Sequence, residues 1–172
     1  GKNIRVPAGA ITDVLSDWGA AGVTMGPPDI YEAMEKKNVD GYIFEEAGCN
    51  SFTLYEVTPY YLDMPLFVGA FSIACNWDTW NSLPEEYQKA IEGICTRESS
   101  LKSAEAFAAS VDKGREAAAN AGVEFLTPTD AEIASWTVAG DKEAAKWCEN
   151  IDNSGVLTSM SGADYLQKAV RL

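Results

Sequence analysis

The 172-residue chain has no histidine. That absence excludes Ser-His-Asp and Cys-His nucleophile pairs, imidazole metal sites and histidine proton switching near neutral pH. Basic residues are scarce as well: 13 Lys and Arg stand against 26 Asp and Glu, a net charge of −13. Binding to nucleic acid depends on Lys and Arg replacing condensed counterions, so this surface repels phosphate, and the same holds for anionic lipid. Long apolar runs are missing too. The longest stretch, Met64 to Cys75, is broken by Pro65 and Gly69 and falls short of a membrane span. No C-x-x-C pair occurs among Cys49, Cys75, Cys95 and Cys148, a spacing that disfavours zinc. Disulfides, with three possible connectivities, and buried thiols both stay open. The sequence opens Gly1-Lys2-Asn3 without Met or leader, as expected of a mature, cut or truncated product.

What is present describes a folded chain. An apolar share of 47%, 10% aromatics and 7 prolines are globular values. A chain of this length buries roughly 70% of its unfolded surface. Strand and helix signals alternate over the first half. Asn3-Ile4-Arg5-Val6 is a short β run stopped by Pro7, and Ile11, Val14, Leu15 and Trp18 give the helical i, i+3, i+4, i+7 spacing, closed by Gly19. Ala21 to Met25 reads as a second strand, Pro28 opens a helix through Lys37, and Val39 to Phe44 reads as a third strand. A βαβαβ order implies parallel strands joined by right-handed crossovers.

A helix is expected from about Cys49 to Val57, then one or two strands over Tyr60 to Cys75. Ser82-Leu83-Pro84-Glu85 has the capping-box pattern, and no proline follows it before Asn120. The expectation is a long brace helix over 77–120, or one broken near Ser99-Ser100. Val123 to Leu126 reads as a short strand, followed by a helix from Thr127-Pro128 to about Asn150 and a last one from Ser161.

In an open parallel sheet, ligands sit at the carboxyl ends of the strands. Those ends are Arg5-Val6-Pro7, Gly26-Pro27-Pro28 and Tyr42-Ile43-Phe44-Glu45. Backbone N–H groups, a helix dipole and the planar cation of Arg5 there suit a small organic anion. Taken alone, Arg5 reads first as a surface charge paired with one of the 26 acids, since exposed pairs are common and weak.

The ordered blocks Arg5-Val6-Pro7, Tyr31-Glu32-Ala33-Met34, Val39-Asp40-Gly41, Leu54-Tyr55-Glu56-Val57 and Trp80-Asn81-Ser82-Leu83-Pro84-Glu85-Glu86-Tyr87-Gln88 resemble the DctP-type solute-binding subunits of TRAP transporters. The resemblance implies a periplasmic-binding-protein-like α/β fold of two lobes joined by a brace helix, located outside the cytoplasm. It implies a receptor, not an enzyme, that closes around a small organic acid and docks on a membrane permease. The arginine that grips the solute carboxylate falls on Arg5. Phe44, Tyr42, Glu45 and Pro27 are the other candidate contacts; Phe44 fits the aromatic of some branches, while Glu45-Glu46 departs from their Pro-Trp. Phe44 and Tyr42 also suit the core of a central strand. The metal-binding branch carries an acid and a tryptophan where this chain has Ile43 and Phe44, so no metal or other cofactor is expected; Glu45 alone supplies one oxygen where calcium takes six to eight.

The family runs to about three hundred residues, so the chain is expected to match its C-terminal half: second lobe over 1–76, brace over 77–120, short strand and helices over 121–172, first lobe absent. Apolar faces left uncovered would favour self-association. The competing readings are an α/β enzyme or regulatory domain using Glu45, Glu46 or Cys49, and an interaction module built from the C-terminal helices.

Overall fold

A computed structural model describes residues 1–7, 9–66 and 71–169. In chain order the elements are β1 (Asn3–Val6), α1 (Ile11–Asp17), β2 (Ala21–Thr24), a 3-10 turn (Pro27–Asp29), α2 (Ile30–Glu35) and β3 (Gly41–Tyr42). Then come α3 (Glu46–Ser51), a second 3-10 turn (Leu54–Val57), β4 (Tyr60–Leu62), α4 (Trp77–Ser82), α5 (Glu85–Ile94) and α6 (Arg97–Asn120). β5 (Glu124–Leu126), α7 (Asp130–Ser154) and α8 (Gly162–Ala169) complete the described chain. Two compact units result, Gly1–Phe44 with Leu126–Leu172, and Glu45–Phe125.

The first unit has the α/β class that the alternating signals predict. Its sheet has the order β2-β1-β3 and every pair is parallel. β1 is central, with Arg5 beside Val23 on one flank and Tyr42 on the other. Val6 and Ile30 are fully buried, and Val14, Leu15, Ala33 and Val39 complete this core. α7 lies along α1: the Trp18 indole N–H donates to the Trp136 carbonyl at 3.2 Å, and Lys142 and Lys146 pair with Asp17 and Asp13. A reciprocal Thr129–Glu132 capping box starts α7, and Gly155, at φ +68°, ends it in the left-handed conformation that glycine adopts without strain.

In the second unit α3 packs on α6. Gly114 makes the approach possible: a Cβ there would lie 2.1 Å from the Glu46 carbonyl oxygen. The next residue, Arg115, pairs with Glu46 and with Asp63, and its guanidinium carbon stands 4.5 Å from the centre of the Phe125 ring. Phe125 on β5 meets Tyr61 on the paired strand β4, ring centres 5.5 Å apart. Leu54, in the second 3-10 turn, is fully buried.

Several elements differ from their expected extents. The third strand is two residues long rather than six. The helix expected over 49–57 starts three residues earlier and stops at Ser51, because Thr53 adopts φ +52°, outside helical geometry, before the 3-10 turn. Of the strands expected over 60–75, only Tyr60–Leu62 forms among the described residues, and 67–70 lie outside them. The long helix over 77–120 is three helices. Leu83 is held extended by the proline that follows it, and Pro84 occupies the cap position where Ser82 was expected to act; the Ser82 hydroxyl donates to the Thr79 carbonyl instead. The second break falls at Cys95-Thr96, where the Thr96 hydroxyl accepts the Ser99 N–H and starts α6 afresh.

Glycine to alanine inside a helix ordinarily gains about 1 kcal/mol. At Gly114 the sign reverses, and overpacking against Glu46 is expected to cost about 1–3 kcal/mol in urea denaturation; a stabilised Gly114→Ala variant contradicts the close approach. The hydrogen bond from Arg115 holds the Asp63 carboxyl below its ordinary value, with the attraction of the two charges adding to it. A carboxylate depressed in the folded state stabilises fully above its unfolded value, and this is lost as pH falls through the folded one. The thermal midpoints of wild type and Asp63→Asn are therefore expected to converge below about pH 4. A gap that stays constant from pH 7 to pH 3 contradicts the pairing.

Candidate functional site

Among the described residues Arg5 is the largest fully buried side chain, 2% exposed, on the central strand of the parallel sheet. Its Nε and Nη2 both donate to the Met25 carbonyl, at 3.1 and 2.9 Å, and Nη1 donates to the Ile43 carbonyl at 3.0 Å. Met25 follows β2 directly and Ile43 follows β3, so the side chain ties together the carboxyl ends of both strands flanking its own.

The register explains why those carbonyls are available. Arg5 pairs with Tyr42, and the Ile43 N–H donates to the Arg5 carbonyl at 2.9 Å. Continued by one step, this parallel ladder would draw the donor for the Ile43 carbonyl from residue 7. Residue 7 is proline and has no N–H. β1 ends there, and the guanidinium two residues earlier supplies the missing donor. In the Arg5-Val6-Pro7 motif the proline thus opens a vacancy that the arginine fills.

Three of the five guanidinium N–H donors are used in this way, leaving one on each Nη. Among the described residues no carboxylate pairs with Arg5. The Phe44 ring lies over it, 5.1 Å from the guanidinium carbon to the ring centre. Burial pushes the Arg5 guanidinium below its ordinary value, the direction expected of a cation taken out of water without an anion beside it. Arginine stays charged through any such shift. The half-exposed Arg115 is the opposite case, since it has two acid partners.

The remaining candidates divide. Tyr42 is the sheet neighbour of Arg5, and Phe44 covers it. Pro27 is half-buried in the 3-10 turn two residues past the Met25 carbonyl. Glu45 belongs to the second unit, where it caps α3: one carboxylate oxygen accepts the Gly48 N–H at 2.8 Å, and the other is buried without a hydrogen bond. The helix N-terminus expected after β2 presents little to an anion, because its first turn begins with Pro27 and Pro28, which have no N–H. Met25 and Ile43 were not expected as site residues. Their part comes through backbone oxygens, and the only sequence signal for it is the proline after Arg5-Val6.

Glu46 is engaged with Arg115, Cys49 is a buried residue of α3, and Cys75 and Cys95 are exposed thiols. Among the described residues no three Cys, Asp or Glu side chains are grouped closely enough to hold a metal ion.

No curated protein matches the chain. Solved structures do. A TRAP solute-binding protein from Rhodoferax ferrireducens T118, in complex with copurified benzoate, superposes with a TM-score of 0.81 at 22% identity, over 98% of this chain and 53% of its own. A marine metagenome TRAP solute-binding protein specific for aromatic acid ligands, in complex with metahydroxyphenylacetate, gives 0.79 at 21% identity, over 98% and 53%. A TRAP periplasmic solute-binding protein from Bordetella bronchiseptica with bound mandelate gives 0.78 at 21%, over 90% and 50%. The chain therefore spans about half the length of these structures, and at such identities the likeness carries the fold. Residues 1–150 match the bacterial extracellular solute-binding proteins of family 7, DctP, and the chain belongs to that family.

Proposed function

We propose that this chain carries the carboxylate anchor of a TRAP solute receptor, which captures a small organic acid in the periplasm and hands it to membrane permease subunits. The observation that carries the reading is Arg5: a cation 2% exposed, oriented by two backbone carbonyls, with two N–H donors left over and no acid beside it. Leaving a buried charge unpaired is costly, and a carboxylate with two oxygens supplies both the charge and the acceptors that the two Nη groups lack. The family is one of receptors, and the solved relatives hold carboxylic acids.

Phe44, Tyr42 and Pro27 are proposed as walls around the bound acid. The role needs no reaction, so the chain acts as a receptor, not an enzyme. Among the described residues no helix is long and apolar enough to cross a membrane. Exposed Trp77, Ile94 and Leu101 support self-association of the chain when expressed alone.

A thermal-shift screen of organic acids on the native protein containing this chain tests the reading. A ligand at a hundred times its dissociation constant adds about 2.7 kcal/mol. The shift is expected to vanish in Arg5→Lys, which keeps the charge and loses the planar pair of donors. Circular dichroism reads whether the variant stays folded. An acid whose shift is undiminished in folded Arg5→Lys removes Arg5 from the site.

A further inference from the structure

In a central strand of a parallel sheet, successive residues send their backbone bonds to opposite neighbours. Arg5 bonds toward β3, since its carbonyl accepts the Ile43 N–H at 2.9 Å, and residue 7 is the next position facing that side. An N–H there would meet the Ile43 carbonyl, which instead accepts Nη1 of Arg5 at 3.0 Å. Pro7 has no N–H to offer. Its ring is exposed, so apolar burial is not what it contributes.

We infer that Pro7 is a positioning residue for the solute: by withholding a ladder donor it keeps the Ile43 carbonyl for Arg5 and so fixes the direction in which the guanidinium points. The inference rests on Arg5 being the carboxylate anchor and names what holds that anchor in its pose. Two carbonyls on opposite flanks define the pose. Nε and Nη2 grip Met25 on the β2 side, and Nη1 grips Ile43 on the β3 side. With an N–H at residue 7 the Ile43 oxygen is shared between two donors, and a guanidinium loosened at Nη1 pivots about its remaining hold on Met25. The N–H left over on each Nη swings with it. Ordering that the fold had supplied then has to be repeated when the acid binds, which weakens binding without removing any contact to the acid.

Two variants of the native protein containing this chain separate the missing N–H from the ring. Pro7→Ala loses the ring and restores the N–H; Pro7→N-methylalanine, introduced by translation with a preloaded tRNA, loses the ring and restores none. Titration calorimetry with benzoate, malate and glucuronate is expected to show each acid that wild type binds held about threefold or more weakly by Pro7→Ala, and within about twofold of wild type by Pro7→N-methylalanine. In the ligand-free variants labelled with 15N-arginine, the Arg5 Nη1 protons should exchange with water faster in Pro7→Ala alone. The new residue 7 amide should be protected from hydrogen exchange. A proline that only stiffened the chain would lose affinity and thermal stability together in both variants. Equal weakening in both, or undiminished affinity in Pro7→Ala, overturns the inference, and if Arg5→Lys still abolishes binding the anchor stands. An unprotected residue 7 amide or an unchanged Nη1 exchange rate in Pro7→Ala overturns it likewise. Binding that survives in folded Arg5→Lys overturns the anchor and the inference together, as does the absence of binding by all three acids.

Discussion

The guanidinium of Arg5 does two jobs with one set of donors, and the first conditions the second. By satisfying the Met25 and Ile43 carbonyls it closes the carboxyl end of the three-stranded sheet where proline has removed the ladder donor. Those same bonds fix the plane and direction of the cation. A long, flexible side chain would otherwise lose much rotamer freedom on gripping a ligand, and here that ordering is already complete when the sheet has folded. Preorganisation of this kind lowers the cost of binding instead of adding contacts.

The two arginine clusters show how context separates a structural cation from a recognition cation. Arg115 is half-exposed and saturated: Glu46 and Asp63 neutralise it, Phe125 stacks on it, and its charge is raised in stability by those partners. Arg5 is more buried, is bonded only to neutral oxygens and has one aromatic cover. An overall charge of −13 makes the contrast sharper. With two acids for every base, a buried cation lacking an acid is a vacancy that the composition would readily have filled.

Much of this was legible in the residues. The β1-α1-β2-α2-β3 order, the strand-end position of Arg5 and the family itself follow from hydrophobic periodicity, Gly and Pro punctuation, and the ordered motif blocks. Element lengths were less so. The third strand contracts to Gly41–Tyr42, and the Ile43 carbonyl just past it serves the Arg5 side chain, a pairing across 38 residues that no local pattern encodes. The long helix divides at Pro84 and again at Thr96, whose hydroxyl accepts the Ser99 N–H and caps α6; a threonine in a helical pattern reads as interior or as cap with equal ease. The backbone oxygens of Met25 and Ile43 were invisible for a simple reason: every residue has a carbonyl, and only register shows which ones go unserved.

The central claim is that a carboxylate binds the two Nη–H groups that the sheet leaves over. The chain has four arginines, at positions 5, 97, 115 and 171, few enough for side-chain nitrogen NMR to separate them. On adding phenylacetate to the native protein labelled with 15N-arginine, the Arg5 Nη protons are expected to shift downfield and slow in rotation, while those of Arg115 stay where they are. Saturable binding of the acid that leaves the Arg5 resonances unmoved would contradict the account.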